Sequence, residues 1–296
     1  MSKPNLLFVF SDQHRWCDLG CYGNPVVKSP RLDAFAAKAL RFEHCISNSP
    51  LCVPARGSML TGLLPMKHRA AANDLPIDTE VESIAHLFAQ AGYRTGYIGK
   101  WHLAGVPRIR AVPRGKGRLG FEEWKVSSVA HGHSNSAYFD ENDVCHPIEG
   151  YEPIKHTDLA IEFIERNRER PWALCLSWGP PHDPYHDVPD EYKELYAEVD
   201  IPLRPNVPER IDAGRNAVLS REQIAHNLRG YYAHITALDE QFGRLLDALE
   251  RTGQLRNTII VYTSDHGDMH GSQGYMNKQL PYEESVKVPL VIFWDG

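Results

Sequence analysis

The sequence lacks any run of apolar residues long enough to cross a bilayer. A membrane-spanning helix needs about 18 or more, and the first apolar run, residues 6–10, stops at Ser11 and Asp12. That run also falls short of the roughly 7–15 apolar residues of a secretory leader and has no small-residue cleavage site after it. A mature, cytoplasmic start is therefore expected, with no membrane partner. Positive charge is not in excess: 32 Lys and Arg against 38 Asp and Glu leave a formal charge of −6. This excludes a global attraction to nucleic acid, so an anionic substrate needs a local cluster of cations. Cysteine is scarce, with six residues in 296. Cys17 and Cys21, spaced C-x3-C, have no matching pair for a zinc site, and a cytosolic setting argues against disulfides. Internal repeats and low-complexity tracts are lacking too.

What is present is an alternation of short apolar runs and amphipathic stretches, the pattern of an α/β layer fold with a largely parallel sheet. Residues 5–10 read as a strand buried on both faces. Ser29-Pro30 supplies an N-cap and first-turn proline for a helix to about Leu40. Thr79-Glu-Val-Glu82 reads as a capping box for a helix ending at Gly92, and residues 93–98 as the next strand. A helix near 156–168 precedes a strand at 172–177. Ser220-Arg-Glu-Gln223 caps the longest helical pattern, running to about Arg251 before Gly253. Residues 257–263 and 288–294 are β-rich. The stretches 104–150 and 179–216 show no clear period and read as functional loops. The last apolar run is followed almost at once by the end of the sequence, so residues 1–296 read as one α/β domain of a longer protein.

Sites in open α/β sheets gather outside the carboxyl ends of the strands. Asp12 and Gln13 directly follow the first strand; Asp265 and His266 directly follow the strand at 257–263. Together they make a mainly oxygen ligand set that suits Ca²⁺, Mg²⁺ or Mn²⁺. The alternative for each pair is a polar turn. In Cys52-Val53-Pro54-Ala55-Arg56, Pro54 suits the first turn of a helix, which places Cys52 where backbone N–H groups and the helix dipole favour negative charge. Arg56 lies one turn on, able to return towards position 52. Lys100 and His102 are alternate residues at the end of a strand, which points both to one face.

Here the motifs become specific. Cys52-x-Pro54-x-Arg56-x-x-x-Leu60-Thr61-Gly62 resembles the sulfatase signature in full. Gly92-Tyr93-x-Thr95-x-x-x-Gly99-Lys100-x-His102 is similar to the second signature of that family, and Asp12 and Asp265-His266 lie where sulfatases carry metal ligands. The resemblance runs in order over essentially the whole chain. It implies an alkaline-phosphatase-like α/β fold with helices on both faces of a mostly parallel sheet, and a metal-assisted sulfuric ester hydrolase. By the same resemblance Cys52 is oxidised by a formylglycine-generating enzyme to formylglycine, whose hydrated form is the nucleophile and a metal ligand beside Asp12, Gln13, Asp265 and His266. The metal is one divalent cation, calcium first, with manganese or magnesium as alternatives. One oxygen of a gem-diol attacks and the other hydroxyl then expels sulfate by re-forming the aldehyde, an exit a thioether lacks.

The resemblance also gives Lys100 the role of binding a sulfate oxygen and His102 that of supporting the formylglycine hydroxyl. His182, in Gly179-Pro-Pro-His-Asp-Pro184, resembles the histidine that contacts sulfate and protonates the leaving oxygen. Lys278 resembles the lysine on the leaving-group side. Arg56, Lys100, Lys278 and the metal would supply the positive field that the acidic whole lacks. Gln13 and His266 depart from the Asp and Asn of many sulfatases and are also found in the phosphonate monoester and phosphodiester hydrolases of the family. The expected substrate is a small-molecule or carbohydrate sulfate ester. Phosphonate hydrolysis and a non-catalytic sulfatase-like protein are the rivals.

Overall fold

A computed structural model describes residues 3–127, 132–214 and 217–295. The strands are β1 (Asn5–Asp12), β2 (Leu40–Arg41), β3 (Arg94–Lys100), β4 (Glu123–Ser127), β5 (Ala137–Phe139), β6 (Cys145–Pro147), β7 (Trp172–Pro181), β8 (Arg210–Gly214), β9 (Ala217–Ser220), β10 (Thr258–Ser264) and β11 (Leu290–Phe293). The α-helices are α1 (Pro30–Ala36), α2 (Cys52–Thr61), α3 (Pro65–His68), α4 (Ile84–Gln90), α5 (Glu152–Arg166), α6 (Asp190–Glu194), α7 (Arg221–Arg251) and α8 (Glu283–Val286). Among the described residues, nine strands form one sheet in the order β2-β11-β10-β1-β7-β3-β4-β5-β6. The central five, β10 to β4, run parallel. Antiparallel strands extend both margins, and β8 and β9 form a separate hairpin.

The near-continuous apolar character of the central strands follows from burial on both faces. Leu7 and Val9 of β1, Leu174 and Leu176 of β7 and Ile98 of β3 pack with α1, α5 and α7. The alternate residues Phe10, Cys175 and Tyr97 pack on the other face with Val53 and Leu60 of α2 and Ala85 of α4. Each such Leu or Phe, fully withdrawn from water, contributes about 1.5–3 kcal/mol of transfer free energy. Ser220 caps α7 through a reciprocal bond with Gln223, as the sequence predicts. No helix among the described residues is long and apolar enough to cross a membrane.

Several boundaries differ from expectation. The first helix ends at Ala36, because Leu40 and Arg41 are drawn into the sheet as β2 beside β11. The capping box of α4 is built by Ser83 and His86, not by Thr79 and Glu82. The stretch 104–150 is not wholly irregular: it supplies β4, β5 and β6, the last two only three residues each and too short to show a period.

Gly99 has φ 99° and lies against β7; a Cβ there would stand 1.9 Å from the Ser177 carbonyl oxygen. No flexible side chain is available to yield. Gly99→Ala should lower stability by more than about 1 kcal/mol, read as a reduced urea midpoint at unchanged slope. An unchanged midpoint would show that the β3–β7 contact is not this close.

Candidate active site

In the parallel register of β1 and β10, Ser11 stands opposite Ser264. The next residues, Asp12 and Asp265, therefore emerge side by side at the carboxyl edge of the sheet. Gln13 follows with φ 68°, an uncommon conformation for a residue with a side chain. Its neighbours hold it there: its N–H donates to Asp265 Oδ1 at 3.1 Å, and its carbonyl accepts from the Tyr231 hydroxyl at 2.7 Å. The His266 N–H donates to the same Asp265 oxygen at 2.9 Å.

Cys52 is the first residue of α2. Leu51 offers no capping side chain; instead the Val53 N–H donates to Asn73 Oδ1 at 3.2 Å. Cys52 is 1% exposed. Its Sγ lies 3.2 Å from His266 Nε2 and 3.7 Å from Asp12 Oδ1. One ligand atom from each of Asp12, Cys52, Asp265 and His266 falls within 4.8 Å of the others.

Arg56, one turn along α2, is fully buried. It does not turn back on Cys52 alone. Its Nη2 donates to Asp12 Oδ2 and its Nε to Asp265 Oδ2, each at 3.0 Å, while Nη1 donates to Ser177 Oγ at 2.6 Å and to the Lys100 carbonyl at 2.9 Å. Lys100 Nζ reaches Asp12 Oδ2 at 2.5 Å. Lys278 Nζ donates to His182 Nε2 at 2.8 Å and also to Gln13 Oε1. His182 in turn donates from Nδ1 to the Asp183 carbonyl at 2.7 Å, which assigns the neutral tautomer.

His102 reaches the site by a different route from the one expected. β3 ends at Lys100, and His102 has φ 59°, so strand alternation does not place it. It is buried, and among the described residues neither ring nitrogen has a hydrogen-bond partner. Asp12, Gln13, Cys52, Arg56, Lys100, His182, Asp265, His266 and Lys278 thus converge on one place through direct contacts, and His102 lies near enough to feel the charges of Lys100, Arg56 and Asp12.

Burial alone would raise the Asp12 carboxyl, yet Lys100, His182 and Arg56 hold it well below the ordinary carboxylate range. Burial and Asp12 oppose ionisation of Cys52, but Lys278, Lys100 and His266 lower its pKa. Burial disfavours charge on His266, and Asp265 and Cys52 outweigh that and push it up to about 9. His182 is driven well down by burial and Lys278, and His102 to about 2 by burial, Lys100 and Arg56. His266 Nε2 faces both carboxylates and the Cys52 thiol within one buried cluster. The donor set of two carboxylates, an imidazole and a carboxamide oxygen fits a divalent cation there.

A model of the sulfatase family matches residues 4–296. The chain belongs to the sulfatase family. An ulvan-active sulfatase of Formosa agariphila is 36% identical over 300 residues, matching 100% of this chain and 57% of that protein. This sulfatase chain thus spans little more than half the length of that relative. A sulfatase-named protein of Bacteroides fragilis, solved by crystallography, superposes with a TM-score of 0.91 at 31% identity, covering 99% of this chain and 68% of that one. A protein solved with its substrate, D-glucosamine-2-N,6-O-disulfate, superposes with a TM-score of 0.85 at 25% identity, covering 99% and 71%. The alkaline-phosphatase-like fold expected from the motifs is the fold of these sulfatase neighbours.

Residue-by-residue reading missed three members of this sulfatase site. Ser177 anchors Arg56 from the middle of β7. Asp268 accepts from Gln13 Nε2 at 2.5 Å, and Tyr185 donates its hydroxyl to the same carboxylate at 3.2 Å. Asp268 had a signal, a second carboxylate three residues beyond Asp265. Tyr185 and Ser177 had none, since a Tyr after a proline and a Ser in a strand are commonplace. An open cleft of about 710 Å³ adjoins the His182 side, lined by Asp183, Tyr185, His186, Glu194, His226 and Arg229 among others.

Removing one partner of a buried ion pair strands the other charge, at a cost of about 3–5 kcal/mol. Arg56→Ala should destabilise the chain by that order in urea. Arg56→Lys should recover little, since a single ammonium cannot reach both carboxylates, Ser177 and a carbonyl in one plane. A loss below about 1 kcal/mol for Arg56→Ala, the range of a surface pair, would contradict this account.

Proposed function

We propose that the chain hydrolyses a sulfate monoester to its alcohol and inorganic sulfate, using a nucleophile made by oxidation of Cys52 to formylglycine. The observation that carries this reading is the meeting of Cys52 with Asp12, Asp265 and His266 in one buried cluster, ringed by Arg56, Lys100 and Lys278. Cys52 Sγ marks where the oxygens of the modified residue would stand, and a formylglycine-generating enzyme is the partner needed to make them. As a hydrate, formylglycine supplies one hydroxyl for attack and a second through which sulfate leaves. Asp12, Gln13, Asp265 and His266 would hold the divalent cation, calcium first for an oxygen-rich set. Once bound, it lowers the pKa of a coordinated hydroxyl and draws charge from a sulfate oxygen.

The chain's own residues do the rest. Lys100, on Asp12, and Lys278, on Gln13, lie beside the cluster, where they can bind sulfate oxygens and stabilise charge as it develops. Arg56 holds the two carboxylates in place. His102, neutral and without a hydrogen-bond partner among the described residues, has a ring nitrogen open to accept a hydrogen bond from a hydroxyl of the modified residue. Lys278 donates to His182 Nε2, so His182 can take up that proton and pass it to the departing oxygen. The alcohol would then lie towards the cleft beside Asp183. Relatives named for sulfated carbohydrates favour a sugar sulfate over a simple alkyl one.

A second reading is hydrolysis of a phosphonate monoester or phosphodiester, favoured by the neutral Gln13 and by His266. These substrates carry one negative charge near neutral pH, as a sulfate monoester does, so charge does not separate the two. The chain co-expressed with a formylglycine-generating enzyme should turn over nitrophenyl or sugar sulfates faster than a phenyl phosphonate monoester. Peptide mass analysis should show residue 52 lighter than cysteine. Cys52→Ala should abolish turnover with the fold intact; near-normal activity in that variant would sink the mechanism.

Proton delivery has its own test. General acid help is typically worth about 10²–10⁴-fold, and it matters most when the leaving alcohol is poor. His182→Ala should slow alkyl or sugar sulfates far more than nitrophenyl sulfate, measured as kcat/KM over a leaving-group series. Equal losses across the series would leave His182 only a binding role.

A further inference from the structure

We infer that Asp268 decides which end of the Gln13 side chain meets the cation, and so acts as a positioning residue for the metal site proposed above. The inference rests on that site. The two ends of a carboxamide are nearly equal in size and opposite in chemistry: the oxygen can bind a cation, the NH₂ group repels one. Nothing in a bare cluster of ligands tells a glutamine which way to turn.

The surroundings of Gln13 do. Its Nε2 donates to Asp268 Oδ2 at 2.5 Å, and its Oε1 accepts from Lys278 Nζ. A carboxylate only accepts and an ammonium only donates, so the network admits one orientation. Asp268 is itself fixed and fully buried, its Oδ1 accepting from the His270 N–H at 2.7 Å and its Oδ2 from the Tyr185 hydroxyl at 3.2 Å. The Gln13 backbone is pinned by Asp265 and Tyr231, so only the side-chain torsions remain to be set. Outer partners that orient a metal ligand commonly contribute 10–100-fold in affinity.

This arrangement also accounts for the departure from the usual family pattern at position 13. A carboxylate there would press its second oxygen against Asp268 in a fully buried space. Gln13 and Asp268 are complementary choices: one brings the NH₂ group, the other the acceptor that turns it away from the cation.

Calcium titration calorimetry on four chains tests this: unsubstituted, Asp268→Asn, Gln13→Ala, and the double variant. The side chain of asparagine offers a donor as well as an acceptor, so it no longer forbids the turned amide, and only Lys278 is left to oppose it. Asp268→Asn should bind Ca²⁺ about 10–100-fold more weakly. In the Gln13→Ala background the same change should cost nothing further, because the group it orients is gone. Circular dichroism and thermal unfolding in chelator check that each variant folds; should Asp268→Asn fail, Asp268→Ser, which also donates and accepts, carries the same expectation. Unchanged affinity in Asp268→Asn would overturn the inference. So would an equal loss in both backgrounds, which is the signature of lost negative charge acting directly on the cation. Absence of calcium binding by the unsubstituted chain would overturn the metal reading itself, and this inference with it.

Discussion

The guanidinium of Arg56 is the point on which the rest of the site hangs. It is fully buried and holds one carboxylate from the end of β1 and another from just beyond β10, while touching the middle of β7 and the end of β3 through Ser177 and Lys100. Two unpaired carboxylates at this depth would protonate or drive the strands apart, because a buried charge is tolerated only when paired. With Arg56 in place both carboxylates have a charged partner. The planar fork of donors suits the task, since its nitrogens point to several strands at once.

That one side chain can reach four strands follows from the parallel sheet. Parallel strands deliver their carboxyl ends to the same edge, and the register places Ser11 opposite Ser264, Asp12 opposite Pro181 and Gly99 opposite Ser177. Asp265, Asp12, His182 and Lys100 therefore come off the sheet in one neighbourhood, although they are far apart in sequence. α2 brings Cys52 and Arg56 in from the side, its first turn fixed by Asn73 rather than by a residue of its own. Sheet, register and one helix start suffice to assemble the cluster.

Much of this was legible in the sequence, for physical reasons. Strands buried on both faces leave near-continuous apolar runs, and polar residues directly after them are conspicuous; Asp12, Gln13, Asp265 and His266 were found that way. Cys52, Arg56, Lys100, His102, His182 and Lys278 stood in motifs whose family resemblance supplied their roles. What stayed hidden depends on contacts between distant segments. Nothing near Arg56 in the sequence names its partners in β1, β10 and β7. His102 sits in a left-handed turn that alternation along β3 cannot foresee. β5 and β6 are set by pairing across the sheet margin, and Tyr185 reaches Asp268 only because the loop after β7 folds back against α7, where Gly230 leaves no room for a Cβ beside the Tyr185 carbonyl.

The two sides of the site are built to different standards, and that difference bears on specificity. The anion side consists of buried groups, each with several partners: Asp12, Arg56, Asp265 and Asp268 cannot change without leaving a charge or a donor stranded. The cleft beyond Asp183 is lined instead by side chains such as His186, Glu194 and His226 that stand in solvent. An exposed side chain can be replaced at little cost to stability, whatever it contributes to binding. In the proposed reaction, chemistry on the charged sulfate would thus be tied to the stability of the fold, while recognition of the alcohol would not. One scaffold can in this way keep a single reaction and still accept different sulfated partners, which is why the site rather than the fold has to be read for function.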